Sequence, residues 1–224
     1  MSRWECHAGA AVVVLLCSVS AHAAFIGVLP ATPGGTDYQA YYDDQLDITW
    51  LANANTGTLR NYGSASSWAA GLSVGGVTGW RLPSMDLDGS GTPVACNGIG
   101  VTQVQCKDNE LGHMYFYGAG TVFGSGINES NTGPFTNLGP FAGTVLATGA
   151  YWSGTLSGGG PNHYFQRFST ASGGSFSAAA PSQNMYAWAV FDGNATAVPV
   201  PAAAWLLGGA LGALGWVRRR QAAA

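Results

Sequence analysis

The alternation of apolar and polar positions is clearest in the stretch DYQAYYDDQLDITWL, residues 37–51. An aromatic-rich run over residues 38–42 leads into an Asp-rich turn at Asp43 and Asp44. Residues 46–50 then alternate between apolar and polar side chains, as a half-buried strand does. The pattern therefore predicts a β-hairpin over residues 37–51.

Residues 64–72, SASSWAAGL, predict the one helix of this region. Ser64 is a suitable N-cap residue, and the spacing places Trp68 on the inward face. Residues 79–83, GWRLP, predict a short strand that its proline ends, because proline lacks the N–H that a sheet ladder needs. Residues 84–109 then predict a long loop.

Three later runs predict strands at residues 151–155, 163–168 and 185–191, separated by Gly- and Ser-rich segments. The last run has apolar side chains on both of its faces, which indicates a central strand. No internal repeat is visible between residues 24 and 197. These elements predict a single β-rich α+β domain with one or two helices.

The first 23 residues have the order of a secretory signal peptide. Arg3 gives a short basic region, residues 8–19 form an apolar stretch, and residues 21–23 (AHA) provide a small-x-small cleavage site. The alternative is an uncleaved anchor, but a bilayer span needs about 20 apolar residues and this stretch is shorter. Residues 24–37 are then interpreted as a linker.

The segment from Val198 to Val217 contains 20 residues without a charge. As a helix it would be about 30 Å long, which matches the hydrocarbon core of a bilayer. The arginines that follow predict a stop-transfer boundary, with the body of the chain outside and the tail on the cytoplasmic side. A C-terminal transmembrane helix is therefore predicted. The stop-transfer residues are Arg218, Arg219 and Arg220.

A proline-rich strip opens this segment, and proline pushes the residue before it toward extended conformations. The strip, the Gly-rich span and the arginines together resemble the PEP-CTERM class of sorting signals, in its VPxPA (VPLPA-CTERM) variant. The resemblance implies recognition by an exosortase, a membrane-embedded cysteine transpeptidase. The alternative is a permanent membrane anchor. The motif residues are Val198, Pro199, Val200, Pro201 and Ala202, and Val200 stands where the usual motif has Glu.

This interpretation divides the C-terminal part of the chain into three pieces. Residues 193–197 form a linker, residues 198–220 the sorting signal with its transmembrane helix and basic end, and residues 221–224 a short tail. It also predicts the location of the protein: exported, transiently anchored in the inner membrane, and then at the cell surface or in the extracellular space.

Charge is sparse in this chain, where 8% of residues are charged and 34 are glycine, which suits a turn-rich extracellular β module. Residues 24–197 hold four basic and ten acidic residues, so their formal net charge is −6. Nucleic acid attracts basic surfaces through its phosphates. The charge balance therefore excludes nucleic acid as a partner.

The cysteines indicate one disulfide. Cys6 and Cys17 lie in the signal peptide, so Cys96 and Cys106 remain in the exported body. A bridge between them closes a ring of about a dozen residues and would stabilise the fold by about 3 kcal/mol. A metal or redox role is the alternative, but neither cysteine lies in a C-x-x-C pair, and His113 is the only nearby imidazole.

Several blocks of residues 38–192 resemble the family built around the Lcl C-terminal-like domain. That bacterial extracellular module is related in fold to C-type lectins and to formylglycine-generating enzymes. The resemblance implies a C-type-lectin-like fold whose first and last strands pair, which would bring the domain ends together beside the membrane tail. The blocks are residues 44–51, 79–84 (GWRLPS), 110–111, 151–155 (YWSGT) and 186–190.

The run DLDGSG, which begins at Asp86, is a candidate for metal binding. Asp86 and Asp88 offer hard oxygen ligands before a glycine turn, as the first half of a calcium-binding EF-hand loop does. The twelfth position is Asn97 rather than Glu, and the E-P-N, Q-P-D and W-N-D tripeptides of calcium-dependent lectins do not occur. The alternative is a solvated Asp/Gly turn. Calcium is the one cofactor hypothesis that the sequence supports.

Few residues are candidates for catalysis. His113 and His163 are the only histidines after the signal peptide, and neither lies in a triad or metal-ligand spacing. A surface position is predicted for His163. Asp43, Asp44 and Asp47 could form a paired-acid site, although adjacent acids in a turn are usually turn chemistry. We predict that the protein is not an enzyme, with a lectin-fold hydrolase as the competing hypothesis.

The aromatic side chains exceed what one small core needs. Aromatic faces beside Asn and Gln are a common way to hold carbohydrate, and Trp152 and Tyr164 are the ligand-binding candidates. The alternative is that most of these rings belong to the core. The aromatic residues in question are Tyr115, Phe116, Tyr117, Trp152, Tyr164 and Phe165.

Taken together, these features predict an exported binding or structural module of the cell surface or extracellular matrix. Its predicted partners are an exosortase, the membrane through the C-terminal helix, and exopolysaccharide or other surface matrix. The alternative is a periplasmic protein that stays anchored in the membrane.

Overall fold

The computed structural model describes residues 25–55, 57–97, 100–139 and 149–197. These residues form an α+β fold with two antiparallel sheets and three α-helices, which confirms the predicted fold class but adds a helix. In chain order the elements are β1 (Phe25–Pro30), β2 (Tyr38–Asp43), β3 (Ile48–Leu51), α1 (Tyr62–Ala70), α2 (Gln103–Cys106), α3 (Glu110–Phe116), β4 (Ala150–Leu156), β5 (His163–Arg167), β6 (Phe176–Ala179) and β7 (Val190–Asp192).

The first sheet has the strand order β1-β2-β3-β7, and each neighbouring pair is antiparallel. The predicted hairpin is confirmed as β2 and β3. In its turn, the Asp43 carboxylate accepts hydrogen bonds from the backbone N–H groups of Gln45 and Leu46, at 2.9 and 3.3 Å. This is the bonding that makes an Asp-rich turn stable, because the side chain replaces a backbone acceptor.

The interpretation of residues 24–37 as a linker is wrong for the part that forms β1. This strand pairs with β2, with Phe25 opposite Asp43 and Pro30 opposite Tyr38. It lies at the edge of the sheet, where a proline is tolerated because no ladder donor is required on the open side. The segment FIGVLP is short and contains both glycine and proline, so its sequence does not have a strand pattern.

Helix α1 begins two residues before the predicted start, and its N-cap is Asn61 rather than Ser64. The Asn61 side chain accepts a hydrogen bond from the Ser64 N–H at 2.9 Å, and asparagine is among the strongest N-cap residues. Trp68, predicted to face inward, is half-buried. This partial exposure is important for the clefts described below.

The prediction of a strand at residues 79–83 is wrong, because these residues do not form one. Within that segment only Arg81 pairs, in an isolated bridge in which its N–H and C=O both bond to Val190, at 2.8 and 2.9 Å. The central strand predicted at residues 185–191 is also shorter than expected, because only its end belongs to β7. Residues 185–190 are nevertheless all buried, as the apolar pattern predicted.

The predicted disulfide between Cys96 and Cys106 is present and closes a loop with a sequence separation of 10. The long loop predicted for residues 84–109 contains the short helix α2, which ends at this disulfide. The chain then enters α3, where the Asn109 side chain caps the helix by accepting a hydrogen bond from the Gly112 N–H at 2.8 Å. The disulfide therefore fixes the loop that leads directly into α3.

The second sheet has the order β4-β5-β6. Strands β4 and β5 correspond to the strands predicted at residues 151–155 and 163–168, and β6 was not predicted. The core is rich in tryptophan, with the rings of Trp50 and Trp188 only 4.8 Å apart. Large rings of this kind supply much of the apolar burial of a small domain. The tryptophans that are at most 2% exposed are Trp50, Trp80, Trp152 and Trp188.

The first and last strands lie in one sheet but do not pair. Strand β7 bonds to β3, while β1 lies at the other edge, so the pairing implied by the family resemblance is not found. Residues 193–197, expected to be a linker, contain a 3₁₀ turn at Ala195–Ala197. The Ala195 N–H donates to Thr49 Oγ1 at 3.1 Å, which ties this turn to the sheet.

Within the described ranges no helix has both the length and the apolar character needed to span a bilayer. The predicted signal peptide, the sorting motif and the transmembrane helix with its three arginines lie outside the described residues.

Candidate functional site

Two clefts of similar size lie on either side of helix α1. The Trp68 cleft has a volume of about 490 Å³ and meets α1 at Trp68, while the Arg81 cleft has a volume of about 470 Å³ and meets α1 at Ser66 and Ala70. Residues two positions apart on a helix point in nearly opposite directions, so α1 can serve both clefts. The Trp68 cleft is lined in part by Asp37, Tyr38, Gln39, Tyr41, Asn53 and Trp68. The lining of the Arg81 cleft includes Ser66, Arg81, Ser84, Leu87, Thr155 and Asp192.

Strand β2 brings two half-buried tyrosines to the Trp68 cleft. The Tyr38 ring lies directly over Gly27 of β1, where an added Cβ atom would come within 2.1 Å of the ring. Only glycine leaves that space, so Gly27 determines where the ring lies. Tyr41 packs edge-on against Tyr38 and against Phe135, with ring centroids 6.0 and 5.5 Å apart. The two rings are therefore positioned by the sheet before any ligand arrives.

Trp68 lines the same cleft from helix α1. The Arg60 guanidinium lies over its ring, 5.0 Å from the centroid, in a cation–π contact. Arg60 is not among the described residues that line the cleft, and this contact covers part of the indole. The half-buried indole thus contributes an aromatic surface whose orientation is held by a cation.

Several polar groups in the Trp68 cleft have no partner. The hydroxyls of Tyr38 and Tyr41 and the indole N–H of Trp68 form no hydrogen bond with any residue that the structure describes. Gln39 uses its amide N–H to bond a backbone carbonyl of β1 at 3.2 Å, which leaves its amide oxygen available. Asn53 accepts from a neighbouring asparagine at 3.1 Å, which leaves its amide N–H groups available. Donors and acceptors are thus both present around the aromatic rings.

Asp37 is the one charged residue among the described residues that line the Trp68 cleft. Its carboxylate accepts a hydrogen bond from the Thr32 hydroxyl at 2.8 Å and another from the Thr32 N–H at 3.2 Å. These bonds, the side-chain one foremost, hold the pKa of Asp37 below its ordinary value. Asp37 is therefore a fixed negative charge at the edge of the cleft at neutral pH.

In the Arg81 cleft, by contrast, the charged groups are paired with one another. Arg81 forms a two-pronged salt bridge with Glu110, at 2.9 and 2.7 Å, and a further bond from Nε to Asp192 at 2.9 Å. Burial alone would lower the pKa of Arg81, but the hydrogen bonds and charges of Glu110 and Asp192 outweigh it and raise that pKa. The guanidinium is held by the protein and is not presented to a ligand.

The neutral polar groups of the Arg81 cleft also have partners within the protein. The Ser84 N–H donates to the Glu110 carboxylate at 2.6 Å, and the Met85 N–H donates to Thr155 Oγ1 at 2.8 Å. The Ser84 and Thr155 hydroxyls lie 3.3 Å apart. These bonds attach the residues after Arg81 to α3 and β4, which makes this cleft a junction between elements.

A cluster of carboxylates forms around the predicted Asp86 and Asp88, and the structure adds Asp108 to it, with ligand atoms within 4.8 Å of one another. Three carboxylates can supply oxygen ligands of the kind that Ca²⁺ prefers. The cluster also has a structural role, because Asp86 accepts from the Gly91 N–H, Asp88 from the Ser90 N–H, and Asp108 from the Asp88 N–H. These bonds are those of the solvated Asp/Gly turn, the alternative stated above.

Two acids of this cluster have pKa values that are shifted in opposite directions. Burial, and then the negative charges of Asp88 and Asp86, raises the pKa of Asp108. Hydrogen bonds from Ser90 lower the pKa of Asp88. The ionised form of Asp108 is therefore disfavoured by burial and by repulsion from the neighbouring carboxylates.

The aromatic ligand-binding candidates do not line either cleft. Trp152 is fully buried, and its indole N–H donates to the Arg60 carbonyl at 2.9 Å. Tyr164 is half-buried and lies edge-on to Phe176 with centroids 6.1 Å apart. The other aromatic candidates belong to the core, which is the alternative stated above. These are Tyr115, Phe116, Tyr117 and Phe165.

The two histidines occupy different environments. His113 is fully buried on α3, and neither ring nitrogen has a hydrogen-bond partner among the described residues. Burial, with a smaller effect of the Lys107 charge, lowers the pKa of His113 to about 3. His163, predicted at the surface, is half-buried and stacks on Tyr62 with centroids 3.3 Å apart. Neither histidine lines the two clefts.

The acids of the hairpin turn are engaged in structure. Asp43 is fully buried in the turn, and burial raises its pKa to about 6 in spite of the backbone N–H groups that bond to it. Asp47 accepts a hydrogen bond from the Tyr42 hydroxyl at 2.9 Å, while Asp44 is exposed. This geometry is that of a turn rather than of a paired-acid site.

The fold and the clefts together define a small β-rich α+β domain with an aromatic cleft on one side of its first helix. No family model matches the chain, and neither a curated protein nor a solved structure matches it. The residues of the Trp68 cleft were not predicted as a site. The signal available in the sequence was the density of aromatic and amide side chains in the first hairpin.

Proposed function

We propose that the protein is an exported module of the cell surface or extracellular matrix that binds exopolysaccharide in the Trp68 cleft. The observation that carries the proposal is the set of aromatic rings in this cleft whose polar groups have no hydrogen-bond partner among the described residues. A sugar ring presents C–H groups that pack on aromatic faces and hydroxyls that both donate and accept hydrogen bonds. The volume of the cleft, about 490 Å³, is in the range of ordinary ligand sites.

Export and sorting complete this proposal. The signal peptide would direct the body across the inner membrane, and an exosortase would process the VPxPA tail and release the body to the surface. The disulfide between Cys96 and Cys106 supports this location, because disulfides persist in oxidising compartments. A C-type-lectin-like arrangement is the finer fold that we propose, on the basis of the family resemblance and of a β-rich α+β domain, although β1 and β7 lie at opposite edges of one sheet.

We also propose that the protein is a binding module rather than an enzyme. Catalysis by a histidine requires it to be within reach of a substrate. His113 is fully buried and His163 is stacked on Tyr62, and neither lines a cleft. The geometry of both residues supports a role in packing.

Retention of the purified protein on exopolysaccharide from its own cells tests the proposal. Trp68→Ala should lower the affinity about tenfold, because one aromatic contact is worth about 1.4 kcal/mol. Tyr164→Ala is the matched control, since it removes another half-buried aromatic ring that lies outside both clefts. Equal loss in both variants, or no loss in Trp68→Ala, would contradict binding in the Trp68 cleft.

The C-terminal mass of the protein, measured with and without the exosortase, tests the sorting. Truncation between Val198 and Ala204 that disappears in the exosortase mutant is the expected result. An unchanged Ala224 in both strains would mean a permanent anchor in the inner membrane and would exclude a free surface module.

A further inference from the structure

We infer that the Trp68 cleft selects uncharged glycans and discriminates against polysaccharides that carry carboxylate or sulfate groups. The inference rests on the proposed function and identifies the class of polysaccharide that it concerns. It follows from three charged residues, one in the lining of the cleft and two outside that lining.

The first of these residues is Asp37, whose carboxylate is held at the edge of the cleft by both bonds to Thr32. A carboxylate that is fixed in this way cannot turn aside when an anionic ligand approaches. Because its pKa is lowered, it stays ionised throughout the neutral range. A uronate or sulfated sugar placed beside it would experience like-charge repulsion that no residue of the lining offsets.

The second residue is Arg60, a cation that contacts Trp68. Its guanidinium lies over the Trp68 ring, and its Nη1 donates to the Thr58 carbonyl at 3.0 Å. It is outside the lining of the cleft, so it supports the indole rather than facing the ligand. The third residue, Arg81, lies across α1 in the other cleft and is paired with Glu110 and Asp192.

The ligand groups that the cleft can satisfy are therefore neutral ones. The tyrosine hydroxyls can donate or accept, the Trp68 indole can donate, and the free amide atoms of Gln39 and Asn53 add an acceptor and a donor. Sugar hydroxyls match all of these groups without bringing charge. The formal charge of −6 over residues 24–197 acts in the same direction at longer range.

The test compares two oligosaccharide probes of equal length, a neutral β-glucan hexasaccharide and a polyuronate hexasaccharide, with the full chain purified in detergent. The neutral probe should bind at least about tenfold more tightly at low salt, and raising the salt should weaken only the discrimination. Asp37→Asn should increase polyuronate binding severalfold and so reduce the ratio of glucan to polyuronate affinity, because the amide keeps a similar shape, can still bond to Thr32 and carries no charge. Asp44→Asn is the control, since it removes an exposed charge of the same hairpin away from the cleft.

Each outcome separates the inference from the proposed function. Polyuronate binding as tight as glucan binding, with both lost in Trp68→Ala, would overturn the inference while the carbohydrate function stands. An Asp37→Asn variant that behaves like Asp44→Asn would overturn the role given to Asp37. Failure of both probes, and of the cell's own exopolysaccharide, to bind would overturn the function and the inference together.

Discussion

The two clefts beside α1 have almost the same volume, yet they differ in what their polar groups do. In the Arg81 cleft the guanidinium, Glu110 and the hydroxyls of Ser84 and Thr155 bond to one another and to the backbone. In the Trp68 cleft the tyrosine hydroxyls and the indole N–H have no partner among the described residues. A cavity of suitable size is therefore weak evidence of binding, and unpartnered polar groups around it are stronger evidence. Changes on the Arg81 side should alter stability, and changes on the Trp68 side should alter binding.

The largest expected effect concerns His113, on the helix that carries Glu110. Its folded-state pKa of about 3 lies below the ordinary 6.5, so the unfolded chain binds the proton more tightly. The free energy of unfolding should fall by up to about 5 kcal/mol as the pH drops from about 6.5 to 3. Chemical denaturation at several pH values measures this slope. In His113→Leu the same slope should be absent, and its persistence would assign the acid sensitivity to other groups.

Glu110→Ala should destabilise the fold by about 4 kcal/mol, because it leaves the partly buried Arg81 without its principal partner. Thermal unfolding is the measurement. Asp192→Ala is the matched control, since the Asp192 side chain is 73% exposed and that of Glu110 only 2%. Its loss should cost less than about 1 kcal/mol. Glucan affinity of the folded protein should be unchanged in both variants, and a loss of affinity would show that the two clefts are coupled.

Asp43 should respond to pH in the direction opposite to His113. Its folded-state pKa of about 6 lies above the ordinary 3.8, so the folded protein binds the proton more tightly. Stability from this group is fully present below about pH 4 and decreases by about 3 kcal/mol as the pH rises through 6. The difference in unfolding free energy between the native chain and Asp43→Asn should follow this curve. A difference that does not vary with pH would mean that Asp43 is not buried in solution.

Loss of the disulfide should lower stability by about 2 to 3 kcal/mol, through the greater freedom of the unfolded loop. The double variant Cys96→Ala with Cys106→Ala, compared with the oxidised native protein, measures this effect by calorimetry, and the native protein in reducing agent should match the variant. The disulfide lies in the loop that leads into α3, far along the chain from the Trp68 cleft. Glucan binding should therefore survive in the folded fraction, and its disappearance would show that the cleft depends on that loop.

The smallest expected effect is a gain of stability. Asp108→Asn should raise the unfolding free energy by less than about 1 kcal/mol in metal-free buffer, because it removes repulsion from Asp86 and Asp88. A calcium titration of both proteins, followed by thermal unfolding, gives the complementary result. Calcium that stabilises the native chain and not Asp108→Asn would support the metal hypothesis, while no response in either protein would favour the solvated turn.

Local patterns predicted the hairpin, the helix near Trp68 and the disulfide, because each depends on residues close together in sequence. The wrong predictions concern contacts between residues that are far apart in the sequence. Arg81 lies in a strand-like GWRLP segment, yet its backbone pairing is limited to one bridge with Val190, which is far away in the sequence. Strand β1 could not be recognised because its stability comes from β2 and not from its own pattern.

For the candidate site too, local motifs could be predicted from the sequence, and contacts between distant residues could not. Trp152 and Tyr164 were selected as candidates by residue type, but burial of a ring depends on tertiary packing that sequence spacing does not reveal. Tyr38, Tyr41 and Trp68 come together only because α1 folds back toward the first hairpin. Asp86 and Asp88 were predicted from a local motif, and Asp108 joined them from 20 positions away, as its bond to the Asp88 N–H shows.

The position of β7 also determines when the domain can fold. Thr49 donates a hydrogen bond to the Gly193 carbonyl at 2.7 Å, across 144 positions of the chain. Until those late residues have been synthesised, β3 has an open edge that other unfolded chains could join. Pairings between such distant segments also form slowly, on the scale of milliseconds to seconds. The edge of β3 is therefore covered only when residues 190–193 arrive and complete the sheet.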